Sequence, residues 1–226
     1  MIERTLFSAE HTTFRDSFER FMQTEIAPYH SAWEAQGFVD KAVWQKAGEL
    51  GFLNMSMPSA YGGADADKLY AVAQIECLSA GGYTGIGFGL HSEIVSPYLL
   101  HYGTQAQKDT YLPRLSSGAM VGAIAMTEPS AGSDLQGIQT TALLGDDGHY
   151  RLRGSKTYIT NGWHADLVIV VAKTNPAAGG KGTSLLLVER GMPGFEKGKR
   201  LKKLGLKAQD TSVLFFDNVR VPAENL

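Results

Sequence analysis

Two short stretches carry residue types that can do chemistry. Ala125-Met126-Thr127-Glu128-Pro129-Ser130-Ala131-Gly132-Ser133-Asp134 places hydroxyls, a glycine and two carboxylates at the end of an apolar run. A loop of small residues lets backbone N–H groups approach an anion such as a phosphate, and Gly132 permits the closest approach. The same composition also suits a turn whose Thr, Ser and Asp side chains bond their own backbone. Further on, Lys156-Thr157-Tyr158-Ile159-Thr160-Asn161-Gly162-Trp163 alternates so that Tyr158 and Thr160 share one face of a strand ending in an Asn-Gly turn. A ring beside a hydroxyl suits a planar heteroaromatic ligand, by stacking and a hydrogen bond, and equally suits a core tyrosine next to a surface threonine.

Other constellations are less specific. Gly194-Phe195-Glu196-Lys197-Gly198-Lys199-Arg200 gathers cations that either face phosphates or stand solvated in a loop. His91 and His101 bracket a helical segment ten residues apart, off the i, i+4 spacing of a helical metal pair, so both read as core or surface histidines and no metal is expected. Cys77 is the only cysteine and lies in an apolar stretch, which makes it a buried, inert thiol rather than half of a disulfide. Gly85-Ile86-Gly87-Phe88-Gly89 lacks the third glycine and the βαβ setting of a dinucleotide fingerprint, and no Gly-x-Ser-x-Gly elbow marks a hydrolase.

The elements that must position these residues fall into two textures. Up to Gly118 the apolar spacing is helical. Phe14, Phe18 and Phe21 follow Ser8 as N-cap; Val43, Trp44, Ala47 and Leu50 follow Asp40 and end at Gly51. Helices are also expected over Asp67 to Ala80, over His91 to Tyr102 with an interruption at Pro97, and from the capping box Thr104–Gln107 to a close at Pro113 to Gly118. From Val121 short β-rich runs take over: Val121 to Met126, Gln139 to Leu144, Tyr150 to Arg153, Lys156 to Thr160, Leu167 to Lys173, Ser184 to Glu189 and Val213 to Phe216. Strands that follow one another without intervening helices exclude a parallel doubly wound sheet and favour an antiparallel barrel or sandwich. The expected fold class is therefore α+β: an α-helical domain over 1–118, then a β domain over 119–226.

Composition excludes several function classes. The 226 residues are 43% hydrophobic and 19% charged, a globular balance, and no run approaches the ~18 apolar residues of a membrane span. With 21 Lys+Arg against 23 Asp+Glu the formal charge is −2, leaving no cationic excess for a phosphate backbone, so nucleic acid is not an expected partner. The start, MIERTLFSAEH, shows neither an export nor a transit pattern, and the expected location is cytoplasmic.

The two chemical stretches together strongly resemble the acyl-CoA dehydrogenase family. Ala125 through Gly137 resembles that family's small-apolar-Thr-Glu-x-x-small-Gly-Ser-Asp signature, and Tyr158-Ile159-Thr160-Asn161-Gly162 its aromatic-Ile-Thr-Asn-Gly strand. The likeness extends through Tyr61-Gly62-Gly63, Tyr102-Gly103-Thr104 and Leu204-Gly205-Leu206-Lys207-Ala208-Gln209-Asp210-Thr211, the last most similar to the long-chain branch.

The resemblance implies a helical N-terminal domain and a β middle domain flanking FAD, with an acyl-CoA thioester as substrate and electron-transfer flavoprotein as acceptor, in a homo-oligomer. It implies that Ile124, Ala125, Met126, Thr127, Gly132 and Ser133 line the flavin together with Tyr158, Ile159 and Thr160. Thr127 and Thr160 would bond the ring system, Tyr158 would lie against it where the family often has Trp, and Ser133 would meet the pyrophosphate and the substrate's pantetheine. Lys197, Gly198 and Lys199 fall where family members approach the CoA end, so Ser133, Gly198 and Lys199 are the expected substrate contacts. Gly85, Gly87 and Gly89 precede a segment that borders the fatty tail in relatives, where missing side chains make room for a longer chain or simply loosen a loop.

The implied reaction is α,β-dehydrogenation of a medium- or long-chain acyl-CoA. In the family its base belongs to a C-terminal helical domain, expected where these residues stop at Val221-Pro222-Ala223-Glu224-Asn225-Leu226. No catalytic residue is therefore assigned: Glu128 is not the base by family position, and Glu10, Glu76 and Glu93 lack motif support. Two alternatives are a flavin oxidase or monooxygenase on the same scaffold and a non-catalytic acyl-CoA- or protein-binding module.

Overall fold

The computed structural model describes residues 5–83 and 85–226; the first four residues of the stretch read for a leader lie outside the described residues. Two compact units form. One reaches to Ala119 and includes Lys203–Gln209; the other comprises Met120–Lys202 and Asp210–Leu226.

The helical unit opens with α1 (Ala9–Phe21), capped by Ser8 through a capping box whose second member is His11. The spacing of Phe14, Phe18 and Phe21 turns their rings inward, and Phe18 and Phe21 meet Phe52 at 5.0 and 5.2 Å. A π-helical turn, Met22–Ile26, leads to α2 (His30–Gln36), whose single buried residue, Trp33, gives no periodicity to read. The next helix, α3 (Ala42–Glu49), begins without the expected Asp40 cap, while α4 (Lys68–Ala80), in the segment expected to be helical, is capped by the Asp67 side chain. Pro97 does not interrupt its helical stretch. After α5 (Phe88–Leu90) and a π turn at His91–Val95, Pro97 occupies the first turn of α6 (Ser96–Tyr102), where its missing N–H needs no partner. Likewise α7 (Gln105–Ser116), opened by the Thr104–Gln107 capping box, runs through Pro113, because Leu112 and Leu115 are fully buried and packing outweighs one lost backbone bond.

The second unit is a seven-stranded sheet among the described residues: β1 (Gly122–Ala125), β2 (Thr141–Leu144), β3 (His149–Ile159), β4 (Leu167–Lys173), β5 (Thr183–Glu189), β6 (Phe195–Arg200) and β7 (Ser212–Pro222). The order is β1-β4-β2-β3-β7-β6, with β5 on β4. Expected Tyr150 to Arg153 and Lys156 to Thr160 are one strand, β3, because its register shift between Leu152 and Gly154 absorbs the irregularity without ending the pairing to β7. The sheet is mixed rather than wholly antiparallel. β1, and the start of β2 at Thr141, run parallel to β4, and between β1 and β4 the long β2–β3 excursion serves as the crossover that parallel pairing requires. The charged run Phe195–Arg200, not among the expected strands, is strand β6, held by its backbone pairing to β7 and by the stack of Phe195 on Phe216 at 5.2 Å. Core residues alternate inward from several strands, among them Leu152, Val168, Val170, Leu186, Leu214 and Val219.

One close approach closes the helical unit. Gly118 has φ +71°, and a Cβ there would lie 2.1 Å from the Trp44 carbonyl oxygen, whereas Gly51, at φ +73°, has nothing within 4 Å. Gly51→Ala should therefore cost about 1–2 kcal/mol, the left-handed penalty alone. Gly118→Ala should cost at least about 3 kcal/mol, strain plus clash, by urea denaturation.

Candidate functional site

The two chemical stretches meet in the β unit. β1 ends at Ala125 and the chain continues into a loop closed by a reciprocal pair of backbone bonds between Glu128 and Ala131, at 2.9 and 3.1 Å. The Thr157 N–H on β3 donates to the Thr127 carbonyl at 2.9 Å, joining one motif directly to the other. Met126 packs beneath the loop on a small apolar cluster of Ala131, Ile138 and Val171.

What holds the loop is a buried ion pair. Lys156 is fully buried, and its Nζ donates to Glu128 Oε1 at 2.8 Å and to the Met126 carbonyl at 2.9 Å. Glu128, whose side chain is 3% exposed, also accepts the Gln139 N–H at 2.6 Å and the Thr140 N–H at 3.0 Å. Burial pushes the Glu128 carboxyl up, but the bonds from the Gln139 N–H and the Lys156 ammonium outweigh it, so its pKa is lowered. Burial lowers the pKa of Lys156, against the pull of Glu128. A carboxylate committed to three donors is not poised to take a proton from a substrate. Glu76 pairs with Arg15 at 2.8 Å, Glu93 with Lys68 at 2.6 Å, and Glu10 lies in the first turn of α1.

Tyr158 is the irregular residue. It is 68% exposed and has φ +58°, in the left-handed region that a bulky aromatic rarely adopts, at a register shift between Lys156 and Ile159. The bulge turns the ring outward from the strand whose preceding residue, Thr157, is bonded to the loop. An exposed aromatic held in a costly conformation is the sort of strain that binding sites retain. Sequence alternation put Tyr158 and Thr160 on one face but carried no signal for the bulge or for the Tyr158 backbone.

The remaining expected residues divide by burial. Ala125 and Ile159 belong to the sheet core and Ile124 is buried, so these three offer backbone rather than side chains. Thr127, Met126 and Thr160 are half-buried, and Gly132 and Ser133 are exposed. The basic run does not act as one patch. Lys197 donates to the Trp163 and Ala165 carbonyls at 2.9 and 2.6 Å, Arg200 lies 5.1 Å over the Trp163 ring, and Lys199 is exposed. Gly198 sits where a Cβ would meet the Phe215 ring at 2.7 Å. In the helical unit a Cβ on Gly85 would collide with Ala208 at 2.5 Å, so that glycine serves a close packing contact, whereas Gly89 has only Ile75 near, at 3.9 Å. His91 is buried and donates to the Leu115 carbonyl at 2.9 Å. Cys77 is buried, and burial raises its thiol pKa. Among the described residues no three His, Cys, Asp or Glu side chains come together to hold a metal, and no helix is long and apolar enough to cross a membrane.

Comparison with known proteins gives matches along nearly the whole chain. The family model for the acyl-CoA dehydrogenase N-terminal domain matches residues 8–119, and that for the middle domain residues 123–219. Rat long-chain specific acyl-CoA dehydrogenase, mitochondrial, is 50% identical over 226 residues, covering 99% of this chain and 52% of the relative. The acyl-CoA dehydrogenase of Geobacillus kaustophilus superposes with a TM-score of 0.95 at 46% identity, covering 99% of this chain and 59% of that one. The acyl-CoA dehydrogenase complexed with FAD from Bacillus anthracis does so at 0.92 and 36%, covering 100% and 38%. The chain thus spans about half the length of the curated relatives it matches. The most similar of these are mitochondrial, which overturns the cytoplasmic expectation; that expectation rested on the missing leader pattern at MIERTLFSAEH, and neither that nor a globular composition with one cysteine separates the two compartments.

Two outcomes follow from this geometry. Because Glu128 is held below the ordinary glutamate value of 4.5, its stabilisation is present above that pH and is lost as pH falls through its folded value. Glu128→Gln should cost about 3 kcal/mol at neutral pH, and the gap to wild type should shrink toward pH 2, read as urea midpoints across pH. Tyr158→Gly should leave stability within about 1 kcal/mol of wild type, because relief of the left-handed strain offsets the entropy of glycine and the ring buries little.

Proposed function

Because the chain belongs to the acyl-CoA dehydrogenase family, we propose that it forms the helical and middle portion of an FAD-dependent enzyme that dehydrogenates medium- or long-chain acyl-CoA thioesters between the α and β carbons. The two functional domains are 1–118 and 119–226. The observation that carries this reading is the outward Tyr158 ring on its left-handed backbone, one residue from the bond that ties β3 to the Met126–Ser133 loop.

The residues fit a flavin. Tyr158 offers a flat face, Thr127 and Thr160 offer hydroxyls, and a Cβ on Gly132 would meet nothing within 4 Å, which leaves room for a phosphate to approach the backbone. When bound, FAD supplies the oxidant that receives the β-hydrogen as hydride. The chain's own part is orientation. Tyr158 supports the ring plane, Thr127 and Thr160 fix its rotation by hydrogen bonds, and Ser133 with Gly198 and Lys199 contacts the pantetheine and phosphates of the substrate. Such positioning aligns the α and β C–H bonds before either breaks. No residue of this chain is assigned as base, since Glu128 is bound to Lys156, Gln139 and Thr140.

Electron-transfer flavoprotein is the acceptor in this reading and the assembly is a homo-oligomer, for which Val72 and Ile75, exposed on α4, provide apolar surface. The named relatives are dehydrogenases, which does not favour an oxidase or a non-catalytic module.

Titration of the chain with FAD, followed by flavin fluorescence, should show saturable binding with negligible acyl-CoA turnover. Thr127→Val and Thr160→Val should each weaken it about five- to tenfold, the worth of one hydrogen bond. Absence of FAD binding by the folded chain would sink the assignment of these residues.

A further inference from the structure

Lys156 carries no role in the family resemblance, yet it is a fully buried lysine under the loop that the resemblance assigns to the flavin. Its ammonium bonds two points on that loop, the Glu128 carboxylate at 2.8 Å and the Met126 carbonyl at 2.9 Å. One bond to Glu128 would suffice to neutralise the charge. The second orients a specific peptide. In a trans peptide the C=O and N–H point in opposite directions, so a Met126 carbonyl held down by Lys156 turns the Thr127 N–H away from the sheet interior. The next peptide is held by the same strand, its Thr127 carbonyl accepting from the Thr157 N–H at 2.9 Å. Thr127 is thus fixed on both flanking peptides by consecutive residues of β3, and its N–H makes no hydrogen bond among the described residues. Tyr158 follows these two residues directly.

We infer that Lys156 is a positioning residue: through Met126 and Glu128 it sets the orientation of Thr127 and registers the Met126–Ser133 loop against Tyr158, so that the hydroxyl, the free N–H and the ring present one preformed face. The link from that face to FAD rests on the function proposed above; the positioning of the loop does not. Lys156 acts through its neighbours and contacts no reacting atom.

The test separates positioning from simple stability. Lys156→Met leaves Glu128 buried without its cation and destabilises the unit, so the informative variant is Lys156→Met/Glu128→Gln, in which both charges are removed and the neutral amide at position 128 can still accept a backbone N–H. Thermal melting should rank the double variant between Lys156→Met and wild type. Amide hydrogen exchange of the free chain should nevertheless be at least about tenfold faster over residues 126–134 in the double variant than in wild type, with residues 167–189 unchanged. Lys156→Arg, which keeps a cation able to reach two acceptors, should recover part of the protection. If wild type binds FAD, the double variant should bind it at least about tenfold more weakly. Wild-type exchange over 126–134 in the double variant would overturn the inference. Failure of wild type to bind FAD, with exchange altered as expected, would instead overturn the proposed function and leave the positioning role standing.

Discussion

Two opposite charges, on Lys156 and Glu128, sit inside the β unit, and the site above them depends on how they are satisfied. Removing a carboxylate and an ammonium from water costs several kcal/mol each, and their attraction offsets this only where the remaining lone pairs and protons also find partners. Here they do. The carboxylate takes the Gln139 and Thr140 N–H groups in addition to the ammonium, and the ammonium takes the Met126 carbonyl in addition to the carboxylate. Any other path for the loop would strand a buried polar group. The pair therefore converts a flexible-looking sequence, with proline, glycine and serines, into one backbone course.

The same strand that supplies the cation also supplies the ring. Lys156 points inward from β3, Thr157 bonds the loop with its backbone, and the register shift that follows turns Tyr158 out at φ +58°. Strain at Tyr158 persists because pairing to β7 resumes at Ile159, and Asn161, itself at positive φ, is buried with its amide on the Gly122 carbonyl at 3.3 Å. A rigid scaffold around one strained residue is a common arrangement where a ligand face must be prepared before the ligand arrives. The helical unit holds itself by different means: the aromatic contacts of α1 with Phe52, the T-shaped contact of Trp44 with Phe88 at 4.8 Å, and the Arg15–Glu76 pair between α1 and α4.

Much of this was legible before the fold was seen. Ser8 and Thr104 announce helix starts because an N-cap is a local exchange between one side chain and the next turn's N–H groups. Strands β1, β2, β4 and β5 announce themselves because they are short, apolar and β-branched or flanked by turn residues. The two motifs stood out for the same reason, as residue types and spacings confined to short stretches of chain. What failed to show were features decided at a distance. The runs through Pro97 and Pro113 rest on a π turn and on buried Leu112 and Leu115, which outweigh a local breaker. Strand β6 is polar and contains a glycine, and only its partner β7 makes it a strand.

The sequence by itself determined the order of the two textures, the caps, the two chemical stretches and the family they resemble, since each is carried by neighbours along the chain. Only the tertiary structure decided that Glu128 is a structural anchor, that Lys156 is its partner from 28 residues away, and that Tyr158 leaves the strand at a bulge. The reason is physical: a lysine in an alternating strand reads the same whether solvated or buried. What makes it buried is a carboxylate on another segment, and that proximity exists only once the sheet has brought β3 under the loop.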